Sequence, residues 1–170
     1  MLNKEIENVL NLQILKEANS SQLYLSMAGW AEQNGLNGTS QFLYAHADEE
    51  RMHMLKLIKF INERGGKAKI PKLDEPKDNF KSLEELFIDL LNHEIMVTNS
   101  INEIVHICIQ LKDYTTHNFM QWFVAEQLEE EALARNILDK IKLIGSDKGG
   151  LYLFDRDIVK LVVVDTTLNA

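Results

Sequence analysis

The sequence has few of the residues on which several protein classes depend. It holds a single cysteine, Cys108, in 170 residues, which excludes a disulfide framework and a cysteine zinc site. Two prolines and eight glycines leave room for long uninterrupted helices and argue against many short strands. With 45% hydrophobic residues, a chain of this length fits one domain with a sizeable core.

Basic residues and long apolar runs are scarce as well. Lysine and arginine number 18 against 26 aspartates and glutamates, so the net charge is −8. Because no basic stripe is present to meet phosphates, we expect no nucleic-acid partner, whereas an acidic chain suits cations. No apolar run is long enough to span a bilayer, so we expect no membrane partner. Residues 1–5 lack the apolar stretch of a secretory signal, and the expected location is the cytoplasm.

Apolar residues at helical spacing are what the chain has in abundance. Four segments show this pattern, and they cover approximately residues 3–33, 39–64, 82–110 and 114–144. Thr39 or Ser40 is expected to cap the second helix, and Ser82 with Glu85 indicates a capping box at the start of the third. The pattern predicts an all-α fold built on four long helices.

A polar segment separates the second predicted helix from the third. Residues 67–81 contain both prolines and mostly polar or charged residues. This connection of about fifteen residues is longer than antiparallel neighbours need. It predicts a crossover that joins parallel second and third helices within a four-helix bundle.

The end of the chain is predicted to carry a short fifth helix. We assign residues 1–145 to the bundle and residues 146–170 to a linker and this helix, within the same domain. The helix is expected from Asp155 to Asp165. Its run Leu161-Val162-Val163-Val164 is apolar and β-branched, so we expect it to be buried against the bundle or a neighbouring subunit.

The second helix carries an E-x-x-H motif, formed by Glu50 and His53. Side chains three residues apart on a helix leave it from nearly the same face, so one helix can give two ligands to one metal ion. The motif alone is weak evidence. It gains weight because each of the other three long helices also holds a candidate carboxylate, namely Glu17, Glu94 and Glu130.

Four carboxylates that share one interior need neutralisation. Unpaired, each would cost several kcal/mol to desolvate and would repel the others, unless it bound a proton with a raised pKa. Two divalent cations balance four carboxylates, with His53 as the one nitrogen ligand. This oxygen-rich set suits iron(II) or manganese(II) better than structural zinc, although zinc competes for such sites. The alternative is a metal-free helical interaction protein with solvated glutamates.

Other candidate motifs are assigned to the surface or to packing. Glu103 begins a second E-x-x-H, but it lies nine residues after Glu94, about 180° around the helix, so we expect it on the outer face. His93-Glu94 begins like a zinc-protease motif but lacks the second histidine. Cys108 is expected to be an inert buried thiol. Three histidines are expected in surface or packing roles: His46, His93 and His117.

At these residues the chain resembles a bacterial non-haem ferritin over nearly its whole length. The similarity is carried by the carboxylates and His53, by Tyr24 and by the stretch at residues 118–131, together with the crossover and the short fifth helix. The resemblance implies a ferritin-like bundle that oxidises iron(II) with dioxygen or hydrogen peroxide at a di-iron centre. It also implies that iron(III) is stored as a ferric oxyhydroxide mineral inside a shell of twenty-four subunits.

The resemblance implies a role for each site residue. One iron would be held by Glu17, Glu50 and His53, and the other by Glu50 as a bridge with Glu94 and Glu130. Gln127 would lie close by, in the second sphere or near bound dioxygen. A third iron would use Glu49, Glu126 and Glu129, with Glu130 shared. Tyr24 would be an electron donor beside the centre.

Two departures separate the chain from haem-containing bacterioferritins, so we expect no haem. Those proteins carry a methionine where Arg51 stands, and a second E-x-x-H where this chain reads Gln127-Leu128-Glu129-Glu130. The second iron site is therefore all-oxygen, and we expect its iron to exchange faster than the first. A non-storage di-iron oxygenase or peroxidase on the same bundle is the alternative enzyme. One cysteine excludes the cysteine-rich domain of rubrerythrin-type peroxidases.

Overall fold

The computed structural model describes residues 2–161, and this part of the chain is helical without any strand. Four long helices are followed by a short one: α1 Lys4–Gln33, α2 Asn37–Glu63, α3 Leu83–Gln110, α4 Tyr114–Ile144 and α5 Lys148–Ile158. A short 3₁₀ turn, Val159–Leu161, continues from α5. The predicted all-α class is confirmed. None of the helices described is long and apolar enough to cross a membrane.

Contacts between helices give their directions. Leu2 N donates to Arg64 O at 3.2 Å, and Ser21 Oγ donates to Ala47 O at 2.7 Å, so α1 and α2 are antiparallel. Hydrogen bonds from α1 to α3 also run in opposite senses, with Ser20 beside His93 and Gln13 beside Ser100. Because both α2 and α3 are antiparallel to α1, they are parallel to each other, as the crossover predicts.

The crossover runs along the outside of α1. Asn11 binds its beginning, donating to Lys67 O at 3.1 Å and accepting from Lys69 N at 2.7 Å. Ser26 binds its end, donating to Lys77 O at 2.8 Å. Asn11 and Ser26 lie about 22 Å apart along the helix, so between these two contacts the segment follows about half the length of α1.

Two of the predicted helix starts have different outcomes. Ser82 caps α3 as expected, accepting from Glu85 N at 3.1 Å. The expected cap of α2 is wrong, because the helix begins at Asn37 and neither Thr39 nor Ser40 caps it. Instead Asp155, on α5, accepts from Gly38 N at 3.0 Å and from Thr39 N at 2.8 Å. A cap supplied by a distant helix leaves no local signal in the sequence.

The fifth helix starts earlier than predicted, at Lys148 rather than Asp155. Asp147 caps it by accepting from the backbone N–H groups of Gly149 and Gly150, so these glycines lie in the first turn of the helix. Buried Phe154 and Ile158 pack it against the bundle. Of the apolar run expected to be buried, residues 162–164 lie outside the described residues.

The core consists of two apolar clusters separated by a polar layer. One cluster includes Tyr24, Phe42 and Phe87, and the other includes Ile14, Leu57 and Phe123. Each long helix passes from one cluster to the other and carries buried polar residues where it crosses between them. These residues include Glu17 on α1, Glu50 and His53 on α2, Glu94 on α3, and Gln127 and Glu130 on α4.

Candidate metal centre

The polar layer brings the carboxylates of four helices into the interior. Glu17 and Glu94 are each 1% exposed, Glu50 is 2% exposed and Glu130 is 5% exposed. Helical spacing explains this burial, because each glutamate continues the apolar stripe that its helix turns toward the core. The residues predicted to share one interior therefore do so.

Glu17, Glu50 and His53 form the tightest group. Each offers one potential ligand atom, and these atoms lie within 4.8 Å of one another. His53 Nδ1 is 3.6 Å from Glu50 Oε2 and 3.9 Å from Glu17 Oε2. Such separations are too long for hydrogen bonds and suit ligands that share one ion, whose metal–ligand bonds are about 2 Å.

Two polar atoms of this group have no hydrogen-bond partner. Among the buried side-chain atoms of residues 2–161, only Glu17 Oε2 and His53 Nε2 are left unsatisfied. An unpaired buried carboxylate oxygen costs about 1–3 kcal/mol or more, so folded proteins rarely keep one without a reason. A cation beside Glu17 Oε2 supplies that reason, and the donor set of two carboxylates and an imidazole fits iron(II).

Glu94 is held from two sides. Tyr24 OH donates to its Oε1 at 2.6 Å, and Gln127 Nε2 donates to its Oε2 at 3.1 Å. Gln127 also donates to the backbone oxygen of Glu94 at 3.3 Å. Two of the residues that the sequence associates with the centre, Tyr24 and Gln127, therefore touch a candidate ligand directly.

Burial and mutual repulsion disfavour the charged carboxylates. Burial raises the pKa of Glu17 well above its usual value, and the charge of Glu50 raises it further. Burial and the charge of Glu94 likewise raise the pKa values of Glu50 and Glu130. These groups must take up protons or be neutralised by cations, and pKa values shifted by burial and neighbouring charge are typical of functional sites.

His46 has the packing role that was one of the two expected for it, and it also lies at the edge of the centre. It is 4% exposed and packs on Phe42, with ring centroids 4.1 Å apart. Its Nε2 is 3.7 Å from Glu130 Oε2, and burial lowers its pKa to about 4. A position four residues before Glu50, on the same face of α2, was the signal that could have placed it here.

A cleft of about 590 Å³ adjoins the centre. Its lining includes the predicted third-site residues Glu49, Glu126 and Glu129, together with Glu130, which also belongs to the centre. Potential ligand atoms of Glu49, His53 and Glu126 lie within 4.8 Å of one another. Glu129 is exposed. We call this feature the acidic cleft; its remaining lining residues are His46, Trp122, Ala125, Leu133, Lys160 and Leu161.

The residues assigned elsewhere lie away from the centre. Glu103 and His106 are exposed, which agrees with the outer position expected for the second E-x-x-H. His93 pairs with Ser20 at 2.7 Å. Cys108 is buried, and burial raises the pKa of its thiol to about 11, as expected for an inert thiol.

Sequence analysis missed two residues behind Glu17. Gln13 is fully buried, and its Nε2 donates to Glu17 Oε1 at 2.7 Å. Ser100, on α3, donates to Gln13 Oε1 at 2.7 Å. Gln13 lies one turn before Glu17, and a polar residue on an otherwise apolar helix face was the available signal. Nothing local to Ser100 indicates its contact.

The chain matches a known family and several named proteins. Residues 7–144 match the family described as the Ferritin-like domain. A bacterial non-heme ferritin of Campylobacter jejuni subsp. jejuni serotype O:2 is 47% identical over 163 residues, which is 96% of this chain and 98% of that protein. A bacterial non-heme ferritin of Escherichia coli O6:H1 is 38% identical over 161 residues, or 95% of this chain and 98% of that protein.

Solved structures match equally well. A novel open-pore ferritin from the hyperthermophilic archaeon Archaeoglobus fulgidus superposes with a TM-score of 0.92 at 40% sequence identity. The match covers 94% of this chain and 98% of the archaeal chain. Both the order of the helices and their packing are therefore shared with that protein.

Proposed function

We infer that this chain, which belongs to the Ferritin-like domain family as a bacterial non-haem ferritin, is an iron-storage subunit whose polar layer is a ferroxidase centre. The observation that carries the proposal is the desolvated ring of glutamates with an unsatisfied Glu17 oxygen facing His53. Iron(II) is the substrate of this centre and iron(III) is its product.

The first iron would bind Glu17, Glu50 and His53. The support is their burial, their mutual separations and the free oxygen of Glu17. His53 would bind through Nδ1, because that atom, and not Nε2, faces the two carboxylates. Neutral imidazole contributes no charge, so the two carboxylates balance one divalent ion.

The second iron would bind Glu94 and Glu130, with Glu50 as the bridge. The charges of Glu94 and Glu50 both raise the pKa of Glu130, which supports their sharing one small volume. Gln127 would act as a hydrogen-bond donor that orients Glu94. An iron pair supplies two electrons, which is what reduction of dioxygen to hydrogen peroxide, or of hydrogen peroxide to water, requires.

Tyr24 would serve the centre as a further electron donor. Its O–H already donates to Glu94, so a proton acceptor for the phenol is in place. Burial and the charge of Glu94 raise its pKa well above the usual value, which keeps the phenol protonated in the resting protein. A purely structural tyrosine would show the same hydrogen bond, so substitution is needed to separate the two roles.

The acidic cleft would hold the third iron. Glu49, Glu126 and Glu129 would be its ligands, and Glu130 would link it to the centre. The cleft opens beside the centre, so we propose that it receives iron that leaves the oxidation site. A shell of twenty-four subunits would then collect the mineral.

Aerobic loading of the purified protein with ferrous salt tests the proposal. We expect a large particle by size-exclusion chromatography, an amber ferric absorbance, and uptake of many irons per subunit. Mutation of Glu50 to alanine should abolish rapid uptake, whereas the exposed Glu103→Ala should not. Uptake limited to the few irons of the centre would favour a non-storage oxygenase. A protein that binds no metal would favour the interaction protein.

A further inference from the structure

We propose that Gln13 and Ser100 are positioning residues that hold Glu17 with one oxygen occupied and the other free for iron. The inference rests on the proposed ferroxidase function and concerns which oxygen of Glu17 is available to bind iron. It concerns a chain of three side chains that links α3 to α1 and then to the centre.

The chain is continuous and short. Ser100 Oγ donates to Gln13 Oε1 at 2.7 Å, and Gln13 Nε2 donates to Glu17 Oε1 at 2.7 Å. Gln13 has no solvent exposure, and Glu17 is 1% exposed. Water therefore does not compete for the bond between Gln13 and Glu17, and a donor removed from this position is not replaced by solvent.

The amide of Gln13 has a definite orientation for a chemical reason. An ionised carboxylate only accepts hydrogen bonds, so the end of the amide beside Glu17 must be its NH₂ group. The other end is then the carbonyl oxygen, which needs a donor, and Ser100 provides one. Reversing the amide would place two acceptor oxygens against each other beside Glu17. The carboxylate therefore fixes the orientation of the amide, and the serine hydroxyl, which can donate or accept, stabilises that orientation by donating to Gln13 Oε1.

The two oxygens of Glu17 consequently differ. Oε1 is engaged by Gln13, whereas Oε2 has no hydrogen-bond partner and lies 3.9 Å from His53 Nδ1. A carboxylate held in this way meets a metal through a single oxygen. Without the Gln13 donor, both oxygens would be available, and Glu17 could rotate to chelate the ion.

Glu94 shows the contrast. There the buried amide of Gln127 occupies one oxygen and Tyr24 occupies the other. Of these two opposed carboxylates, only Glu17 keeps an oxygen without a hydrogen bond. Gln13 and Ser100 therefore help to make the Glu17 site the better prepared of the two.

Anaerobic titration with Co(II) tests the proposal, because Co(II) absorbs less strongly in the visible as its coordination number rises. Gln13→Leu removes the donor and keeps the side-chain volume. We expect the dissociation constant of the first Co(II) to rise about tenfold, as loss of outer hydrogen bonds to ligands usually does. The absorbance per bound Co(II) should fall because Glu17 becomes a chelating ligand.

Ser100→Ala and Ser100→Thr resolve the role of the hydroxyl. The alanine variant should show the same spectral change with a smaller rise in the dissociation constant, and the threonine variant should restore wild-type behaviour. Gln121→Leu, an exposed glutamine on α4, is the matched control and should leave both readouts unchanged. Thermal unfolding followed by circular dichroism is recorded for every variant.

The outcomes separate this inference from the proposed function. If the wild-type protein binds no Co(II), the ferroxidase proposal itself fails. If it binds Co(II) and Gln13→Leu gives the same affinity and spectrum, only the positioning role is overturned. A lower melting temperature with an unchanged spectrum also overturns it, because that pattern indicates packing alone. Should Gln13→Leu not fold, an unchanged Ser100→Ala spectrum overturns the proposal by itself.

Discussion

The centre and the acidic cleft use the same residue type on the same helices, yet their glutamates lie in different surroundings. On α2, Glu50 is 2% exposed, whereas the preceding residue, Glu49, lines the cleft. On α4, Glu130 is buried, whereas the preceding residue, Glu129, is exposed. One step along a helix turns a side chain by about 100°, which is enough to move it from the core to the cleft.

This difference in burial separates two ways of handling cations. In the centre, desolvation and mutual repulsion raise carboxyl pKa values, so bound cations are needed to keep these groups ionised. In the cleft, water can solvate an exposed acid such as Glu129, so a cation there is one partner among several. We therefore expect strong, ordered binding in the centre and looser, exchangeable binding in the cleft.

The largest expected effect comes from removing the carboxylate that would touch both irons. Glu50→Ala should slow the first aerobic turnover of iron(II) more than about 100-fold, exceeding the usual effect of outer-shell changes. Glu129→Ala should leave the first turnover near the wild-type rate and alter later ones, because it touches only the cleft. Stopped-flow absorbance measures both. Equal loss of the first turnover in the two variants would remove the distinction between centre and cleft.

His46, which borders both regions, should impose a pH dependence on the stability of the metal-free protein. Its pKa is 6.5 in an unfolded chain and about 4 in the folded protein, so its stabilising contribution is complete above pH 6.5 and is lost as the pH falls toward 4. The loss amounts to at most about 3 kcal/mol. Glu50 acts in the opposite sense, because its raised pKa makes stability fall as the pH rises above 4.5.

His46→Phe isolates the histidine contribution. Urea unfolding of the chelator-treated wild type and variant is measured from pH 7 to 4.5. The free energy of unfolding of the wild type minus that of the variant should decrease as the pH falls, because only the wild type loses the His46 contribution. The carboxylates are common to both proteins and cancel in this difference. A difference that stays constant with pH would show that His46 is not kept neutral by burial.

A smaller effect on iron oxidation is expected from a substitution in α5, the helix that precedes the cleft-lining residues Lys160 and Leu161. Asp155→Ala removes the cap of α2 and should lower the free energy of unfolding by about 1 kcal/mol, the usual value of a capping side chain. Because Lys160 and Leu161 follow α5 and line the cleft, late turnovers should change while the first does not. Tyr152→Phe, at an exposed position on α5 that does not line the cleft, is the matched control. An altered first turnover would show that α5 also shapes the centre.

The smallest effect on the initial rate is expected from Tyr24→Phe. The substitution removes one hydrogen bond to Glu94 and keeps the ring packed, so the fold and the first oxidation of iron(II) should be retained. The decay of later spectral signals should change if Tyr24 donates an electron. Collapse of the particle during size-exclusion chromatography would instead assign the tyrosine a packing role.

Most of the candidate centre could be predicted because its candidate ligands obey helical spacing. Glu17, Glu50, His53, Glu94 and Glu130 each lie on the apolar face of their helix, so the period of the sequence points them inward. Gln13 obeys the same rule, but it was not predicted because an uncharged amide on an inward face does not by itself indicate a metal site. The packing role expected for His46 agrees with its contact with Phe42, whereas its approach to Glu130 depends on how α4 packs and not on spacing alone.

By itself the sequence determined the four long helices, the crossover, and which carboxylates face inward, because periodicity and breakers act over a few residues. Tertiary structure alone decided that Asp155 caps α2, that α5 begins at Lys148, and that Ser100 donates a hydrogen bond to Gln13. The Asp155 cap and the bond from Ser100 to Gln13 each join groups from two different helices. The two partners are far apart in the chain, so only the packing of one helix against another brings them within hydrogen-bonding distance.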